Sequence, residues 1–295
     1  MIRGIATVTG LGVGIGAGVA GWSLWEARSF QRSFHHLNIL PDGMEPMRIL
    51  NISDIHLMPG DEKKVEFLRD LADLKPDAVF LTGDQLSSTK SLPSLLRALQ
   101  PLNGIPGAFV FGSHDYHAPV WKNPLSYVLP FLGGPEKDPE DLPHAAMAEA
   151  FRDFGWTDMR NTRSSIQVNN QKIQLVGVDD PHIDLDEYPA PKEQEGFTIG
   201  LTHAPYARVL NAMEADSVTL ALAGHTHGGQ VCVPGYGALI TNCDLDTAHV
   251  AGVFGWPAIA QEKTMTVAIS RGLGTSPYAP FRLACRPEVQ IIDLA

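Results

Sequence analysis

Cysteine is scarce and scattered: Cys232, Cys243 and Cys285 form no CxxC pair. An odd, widely spaced set of this kind indicates neither a disulfide framework nor a thiolate zinc site. Basic residues are also in deficit, with 22 Lys and Arg against 33 Asp and Glu and a net charge of -11. A surface built for phosphate backbones needs the opposite sign, so a nucleic-acid partner is excluded. A bound divalent cation suits this balance. The chain holds no GxSxG nucleophile motif and no dinucleotide fingerprint. GLGTSPYAP, residues 272–280, has turn composition but lacks the lysine and the helix-opening context of a phosphate-binding loop. There is no internal repeat. What remains is 295 residues, 44% hydrophobic and 19% charged, enough apolar material for a folded globular protein of one large domain or two small ones.

Charge is absent from Gly4 to Trp25, between Arg3 and Glu26. As a helix, 22 uncharged residues reach about 30 Å, a bilayer's apolar thickness. Gly10, Gly14 and Gly18 fall at the small-xxx-small spacing of close membrane helix contacts. The stretch is thin in Leu, Ile and Phe, so its hydrophobic drive is weak. Residues 1–27 are expected to be a single membrane span, with a cleaved export signal and a loosely packed soluble segment as alternatives. The protein is therefore expected to be membrane-associated or exported. Two arginines after the stretch and one before it tilt the orientation toward a cytoplasmic body. A linker over 28–47 then leads to a domain over 48–295.

Within that domain one pattern recurs: a short apolar run ends abruptly in Gly, Asp, His or Thr. MRILNIS ends in Asp54-Ile55-His56, AVFLT in Gly83-Asp84, and FVF in Gly112-Ser113-His114-Asp115. IQLVGV ends in Asp179-Asp180-Pro181-His182, FTIGL in Thr202-His203, and VTLALA in Gly224-His225-Thr226-His227. Continuous apolar runs predict strands buried on both faces. DEKKVEFLRDLADL (61–74), SLPSLLRALQPL (91–102) and EDLPHAAMAEAFRDFG (140–155) read as helices between them. The alternation predicts an α/β layered fold. Ligands of such folds bind beyond the carboxyl ends of strands, where every His and Asp cluster here falls.

Asp54, His56, Asp84, His203, His225 and His227 are the candidate ligands. Four imidazoles and two carboxylates suit Zn, Mn, Fe or Co and are too many for one tetrahedral ion. Two ions fit better, and a carboxylate such as Asp84 can bridge a pair about 3.5 to 4 Å apart. Any one of these residues alone has an ordinary alternative as a helix cap, a turn or a core histidine. The ordered set is what points to metal.

The series DIH, GD, GSHD, TH and GHTHGGQ resembles the calcineurin-like metallophosphoesterase superfamily, from about Arg48 to near the C-terminus. It is most similar to the membrane-associated bacterial branch of UDP-2,3-diacylglucosamine diphosphatase-type and related phosphodiesterases. The resemblance implies a central β-sandwich flanked by helices. Matched residue by residue, it implies one metal held by Asp54, His56, Asp84 and His227, and a second held by Asp84, His203, His225 and the residue between Gly112 and His114. Mn, Zn, Fe and Mg are the candidate ions. His114 matches the family histidine beside the scissile phosphate. The departure is Ser113, where the family's loop carries Asn. Serine also offers a neutral oxygen but is two heavy atoms shorter, so three arrangements are open: direct ligation, a water in its place, or a weak second site. The water or a loosely held second ion is the expectation.

The expected reaction is hydrolysis of a phosphate ester or pyrophosphate bond by a metal-bridging hydroxide, with His114 serving the leaving oxygen. Asp115 either orients His114 or caps the local backbone, and Gly112 is expected to permit a sharp turn. Asp180 and His182 are candidates for substrate binding, against an Asp-Pro turn as the plain alternative. HAPVWKNPLSYVLPFLGGP, residues 117–135, is rich in Pro and aromatics and reads as a cap-like insertion within 113–165, or as core. The expected substrate is a phosphorylated small molecule or a lipid-linked phosphate. The alternative is a non-catalytic metal-binding or protein-interaction module on the same fold.

Overall fold

A computed structural model describes residues 16–121, 138–191, 196–257 and 264–295. The apolar runs form strands as expected: β2 (Met47–Ile52), β3 (Ala78–Thr82) and β4 (Gly107–Val110) lie parallel and side by side. Their sheet is completed by β5 (Trp156–Asp158) beyond β4, and by β14 (Glu288–Leu294) and β1 (Gln31–Leu37) beyond β2. In a second six-stranded sheet, β7 (Gln171–Gly177), β8 (Thr198–Leu201) and β9 (Leu220–Ala223) are parallel neighbours. Antiparallel β6 (Thr162–Val168) lies at one edge, and β13 (Met265–Ile269) and β12 (Gly252–Trp256) at the other, while β10 (Cys232–Val233) and β11 (Gly237–Ala238) pair as a separate ribbon. Both sheets are therefore mixed, within an α/β fold.

Strands buried on both faces need a layer on each side, and the structure supplies four layers. Phe80 and Val110 of the first sheet pack against Leu201 and Leu222 of the second. On the first sheet's outer face, Leu81 and Phe109 meet Leu68 of α2 (Glu62–Arg69), Leu95 of α3 (Leu92–Leu99) and Phe151 of α5 (His144–Asp153). On the second sheet's outer face, Val176 and Ala221 pack with Leu210 and Met213 of α6 (Ala207–Ala215). The Val, Leu, Phe and Met side chains among these are fully buried, each contributing roughly 1.5–3 kcal/mol relative to exposure. The two sheets and their helices form one frame with the parallel strand ends at one edge.

Residues 28–47, expected as a linker, carry β1, which pairs in parallel with β14 from Gln31–Glu288 to Leu37–Leu294. QRSFHHL has no continuous apolar run, because this edge strand alternates between half-buried and exposed positions. Residues 16–26 form a helix, α1. Among the described residues no helix is long and apolar enough to cross a membrane. Residues 1–15 of the expected span, and 122–135 of the cap-like stretch, lie outside the described residues.

Candidate functional site

The site forms where the carboxyl ends of the two sets of parallel strands meet. Within the first sheet, Asp54 N donates to Gly83 O at 2.9 Å and His56 N to Asp84 O at 2.9 Å. Across the sandwich, His203 Nδ1 reaches Thr82 O at 2.7 Å, and His225 N reaches the Asp54 carboxylate oxygens at 3.1 and 3.0 Å. Asp54, His56, Asp84, His225 and His227 all have left-handed backbone, with φ of 49°, 43°, 57°, 69° and 50°. Side chains other than Gly rarely accept that conformation, at a cost of order 1–3 kcal/mol each.

Asp54, His56 and His227 form one compact group of candidate ligand atoms, and Asp54, Asp84 and His203 form another, with atoms in each within 4.8 Å of one another. Asp54 is common to both. Asp84 Oδ2 lies 3.3 Å from His56 Nε2 and 3.5 Å from His203 Nε2, so it too faces both groups. His227 Nε2 is 3.6 Å from Asp54 Oδ1. His225 stands outside the two compact groups but places Nδ1 3.3 Å from His203 Nε2, with its other ring nitrogen 3.0 Å from Asn242 O. A carbonyl can only accept, so it fixes the proton on His225 Nε2 and leaves Nδ1 open as a donor atom toward the cluster. The mix of buried carboxylate and imidazole fits Zn, Mn or Fe ions, and their separations permit more than one.

Burial and the attraction between opposite charges set the protonation states. It pushes His56 and His225 down to about 3 and His227 well below the usual range, so these rings stay neutral. Burial raises the Asp54 carboxyl to about 6, despite the pull of His203. Burial alone opposes charge on both Asp84 and His203, yet their mutual attraction wins: the carboxyl is held well below its ordinary value and the imidazole well above. A metal requires ionised carboxylates and neutral imidazoles. Metal binding at pH 7 should therefore release a proton from His203. Near pH 7 that one proton makes apparent affinity fall about tenfold per pH unit, and below pH 6, where Asp54 also takes up a proton, the fall should steepen toward about a hundredfold per unit. Isothermal titration in buffers of different ionisation enthalpy checks this, and an affinity flat between pH 5 and 8 would contradict it.

The GSHD loop opens α4 (Ser113–Tyr116). Gly112 has ordinary extended backbone, φ -116°, so the expected sharp turn is not its reason. A Cβ there would overlap Asp84 and His203, and glycine is required for close approach. Ser113 follows directly and is half-buried. His114 N donates to Asp84 Oδ1 at 2.8 Å, and the His114 ring stands edge-on to His56 with centroids 5.3 Å apart. Its Nδ1 lies 3.1 Å from His117 O.

Asp115 resolves the choice left open by the sequence: it is fully buried and accepts from the backbone N–H groups of Gly112, Asp84 and Gln85 at 3.0, 2.8 and 2.7 Å. It ties the GD loop to the GSHD loop. Asp115→Ala strands three buried donors at about 1–3 kcal/mol each, so a loss of at least about 2 kcal/mol in urea unfolding is expected. A change below about 0.5 kcal/mol, the range of a neutral surface substitution, would contradict the tie.

Asp180 is fully buried, and its Oδ1 caps the short helix Pro181–Ile183 by accepting from His182 N at 2.9 Å. Burial raises its carboxyl to about 6, with His203 pulling the other way. The Asp-Pro turn and proximity to the cluster are thus both present. The His182 ring lies 4.5 Å from that of His225, and its Nδ1 is 3.2 Å from Tyr206 Oη.

Arg282 is a neighbour of the cluster that no sequence motif marks. Fully buried, it donates to Arg271 O and Gly274 O at 2.7 Å each and places its guanidinium 3.2 Å from His227 Nδ1. Gly272 also backs the cluster, since a Cβ there would overlap Asp54. Neither residue sits in a motif. The one signal, and for Gly272 alone, is the turn composition of 272–280.

The calcineurin-like phosphoesterase family model matches residues 47–229, and the chain belongs to that family of metal-dependent phosphoester hydrolases. Phosphodiesterase YaeI of Escherichia coli (strain K12) is 28% identical over 272 residues, covering 90% of this chain and 88% of that protein. The uncharacterized metallophosphoesterase YkuE of Bacillus subtilis (strain 168) is 25% identical, covering 87% of this chain and 82% of its own. A transmembrane protein with metallophosphoesterase domain from Bos taurus is 27% identical over 85% of this chain, which spans 53% of that larger protein.

Proposed function

We propose that this enzyme hydrolyses a phosphodiester or pyrophosphate bond at a dinuclear metal centre. The observation that carries this reading is the placement of Asp84 Oδ2 between His56 Nε2 at 3.3 Å and His203 Nε2 at 3.5 Å, beside an Asp54 shared by both ligand groups. Asp54, His56, Asp84 and His227 would hold one ion, and Asp84, His203, His225 and Ser113 the other, Ser113 through a water. Two bound ions would supply a bridging hydroxide for attack at phosphorus and neutralise the phosphoryl oxygens.

The chain's own groups do the rest. His114 donates a proton or hydrogen bond to the leaving oxygen, its ring held by His117 O at 3.1 Å. Asp115 fixes the two loops that carry Asp84 and His114. Asp180 and His182, the latter with its ring 4.5 Å from that of His225, bind the substrate. The substrate is a phosphorylated small molecule, with a lipid link as its finer assignment. Residues 1–27 serve as a membrane anchor whose last turn docks on the catalytic domain over 48–295, with Arg282 N donating to Ser23 O at 3.0 Å and Cys285 N to Glu26 at 2.6 Å.

Chelated protein should not hydrolyse bis(p-nitrophenyl) phosphate, and Mn or Zn should restore turnover. Full turnover after chelation would refute the reading. Ser113→Asn should bind the second ion at least as tightly as the parent, measured by metal titration. Loss of metal or of activity would make serine a tuned part of this site.

A further inference from the structure

Asp180 is fully buried, and only half of its carboxylate is used by the protein. Oδ1 accepts from His182 N at 2.9 Å, whereas Oδ2 has no hydrogen-bond partner among the described residues. An unanswered carboxylate oxygen is strongly disfavoured away from water. Folded proteins keep such an oxygen where an ion or a bound water meets it.

Two contacts fix where its loop lies. Tyr116, three residues after Ser113, donates its hydroxyl to the Asp179 carboxylate, 2.6 and 2.8 Å from the two oxygens. The 179–182 loop therefore lies against α4, which Ser113 opens. On the other side the His182 ring stands 4.5 Å from that of His225. Asp180 is thus flanked by the loops of Ser113 and His225, the two residues assigned with His203 to the second ion alone. Burial raises its carboxyl to about 6, and the charges that act on it next are His203, which pulls it down, and Asp84, which pushes it up. Those are the other two residues assigned to that ion.

Direct contact between this carboxylate and a phosphate would set two anions against each other. A water on a cation removes the conflict, and the second ion needs one, because serine falls two heavy atoms short of asparagine. We infer that Asp180 Oδ2 accepts a hydrogen bond from the water that completes the second ion's coordination in front of Ser113. Ser113 and Asp180 together then do what one longer amide side chain does alone. This rests on the dinuclear reading above, and it gives Asp180 its part in substrate binding: it is a positioning residue that acts through the ion.

The test titrates the metal-free full chain with Mn and follows free Mn by its electron paramagnetic resonance signal, which counts bound ions without reference to turnover. Asp180→Asn keeps an oxygen for His182 N and removes the charge. It should weaken the second ion about 10- to 100-fold relative to the first. The ratio of the two affinities within one protein does not depend on how much of it folds. In Ser113→Asn, whose amide oxygen takes the place of the water, the same substitution at Asp180 should cost less than about threefold. An unchanged ratio in Asp180→Asn would overturn the inference. So would an equal loss in both backgrounds, which is what a charge acting from a distance gives. A parent chain that binds a single Mn would instead remove the dinuclear reading, and this inference with it.

Discussion

Asp84→Asn should lower kcat/KM by about 10³-fold or more. The carboxylate faces both ligand groups at once, 3.3 Å from His56 and 3.5 Å from His203, and an amide there keeps the shape while removing the charge. It also releases His203, whose raised pKa depends on that charge once burial has been overcome. The variant should hold less metal at pH 7 and should no longer release a proton when metal is added. Metal analysis of the purified variant, alongside steady-state kinetics with bis(p-nitrophenyl) phosphate, checks both parts. Wild-type metal content with wild-type turnover would remove Asp84 from the centre.

His114→Ala should behave differently, lowering kcat by about 10²- to 10⁴-fold with little change in bound metal. The separation follows from the loop's geometry. His114 holds Asp84 Oδ1 through its backbone N–H at 2.8 Å, and alanine retains that group. Only the ring is lost, and the ring is the part that would serve the leaving oxygen. A substrate with a good leaving group, such as p-nitrophenolate, needs the proton least, so the deficit should widen with a poor alkoxide leaving group. Equal losses on both substrates would assign His114 to positioning alone. Full activity would exclude it from the reaction.

The elements that position the site were readable in the sequence for a simple reason. Buried parallel strands are continuous apolar runs, and the residues that do chemistry follow those runs at their carboxyl ends, so Asp54, Asp84, His203 and His225 were marked by contrast with what precedes them. The strand β1 lacked that contrast because one of its edges faces solvent, and its pattern merged with the linker. Arg282 was hidden for another reason: its role is to donate to carbonyls of residues 271, 272 and 274, and backbone acceptors leave no trace in side-chain identity. Gly112 was read as a turn residue, whereas its requirement is set by Asp84 and His203 from elsewhere in the chain. The docking of α1 was equally illegible, since Glu26 bonds a backbone N–H 259 residues away.

The proposed centre holds two ions that act together at one cluster. Titrating metal-free protein with Mn or Zn while following bis(p-nitrophenyl) phosphate hydrolysis tests it directly. Activity should rise until two equivalents per chain are bound, with the second equivalent contributing most of the turnover. Full activity at one equivalent would contradict the account.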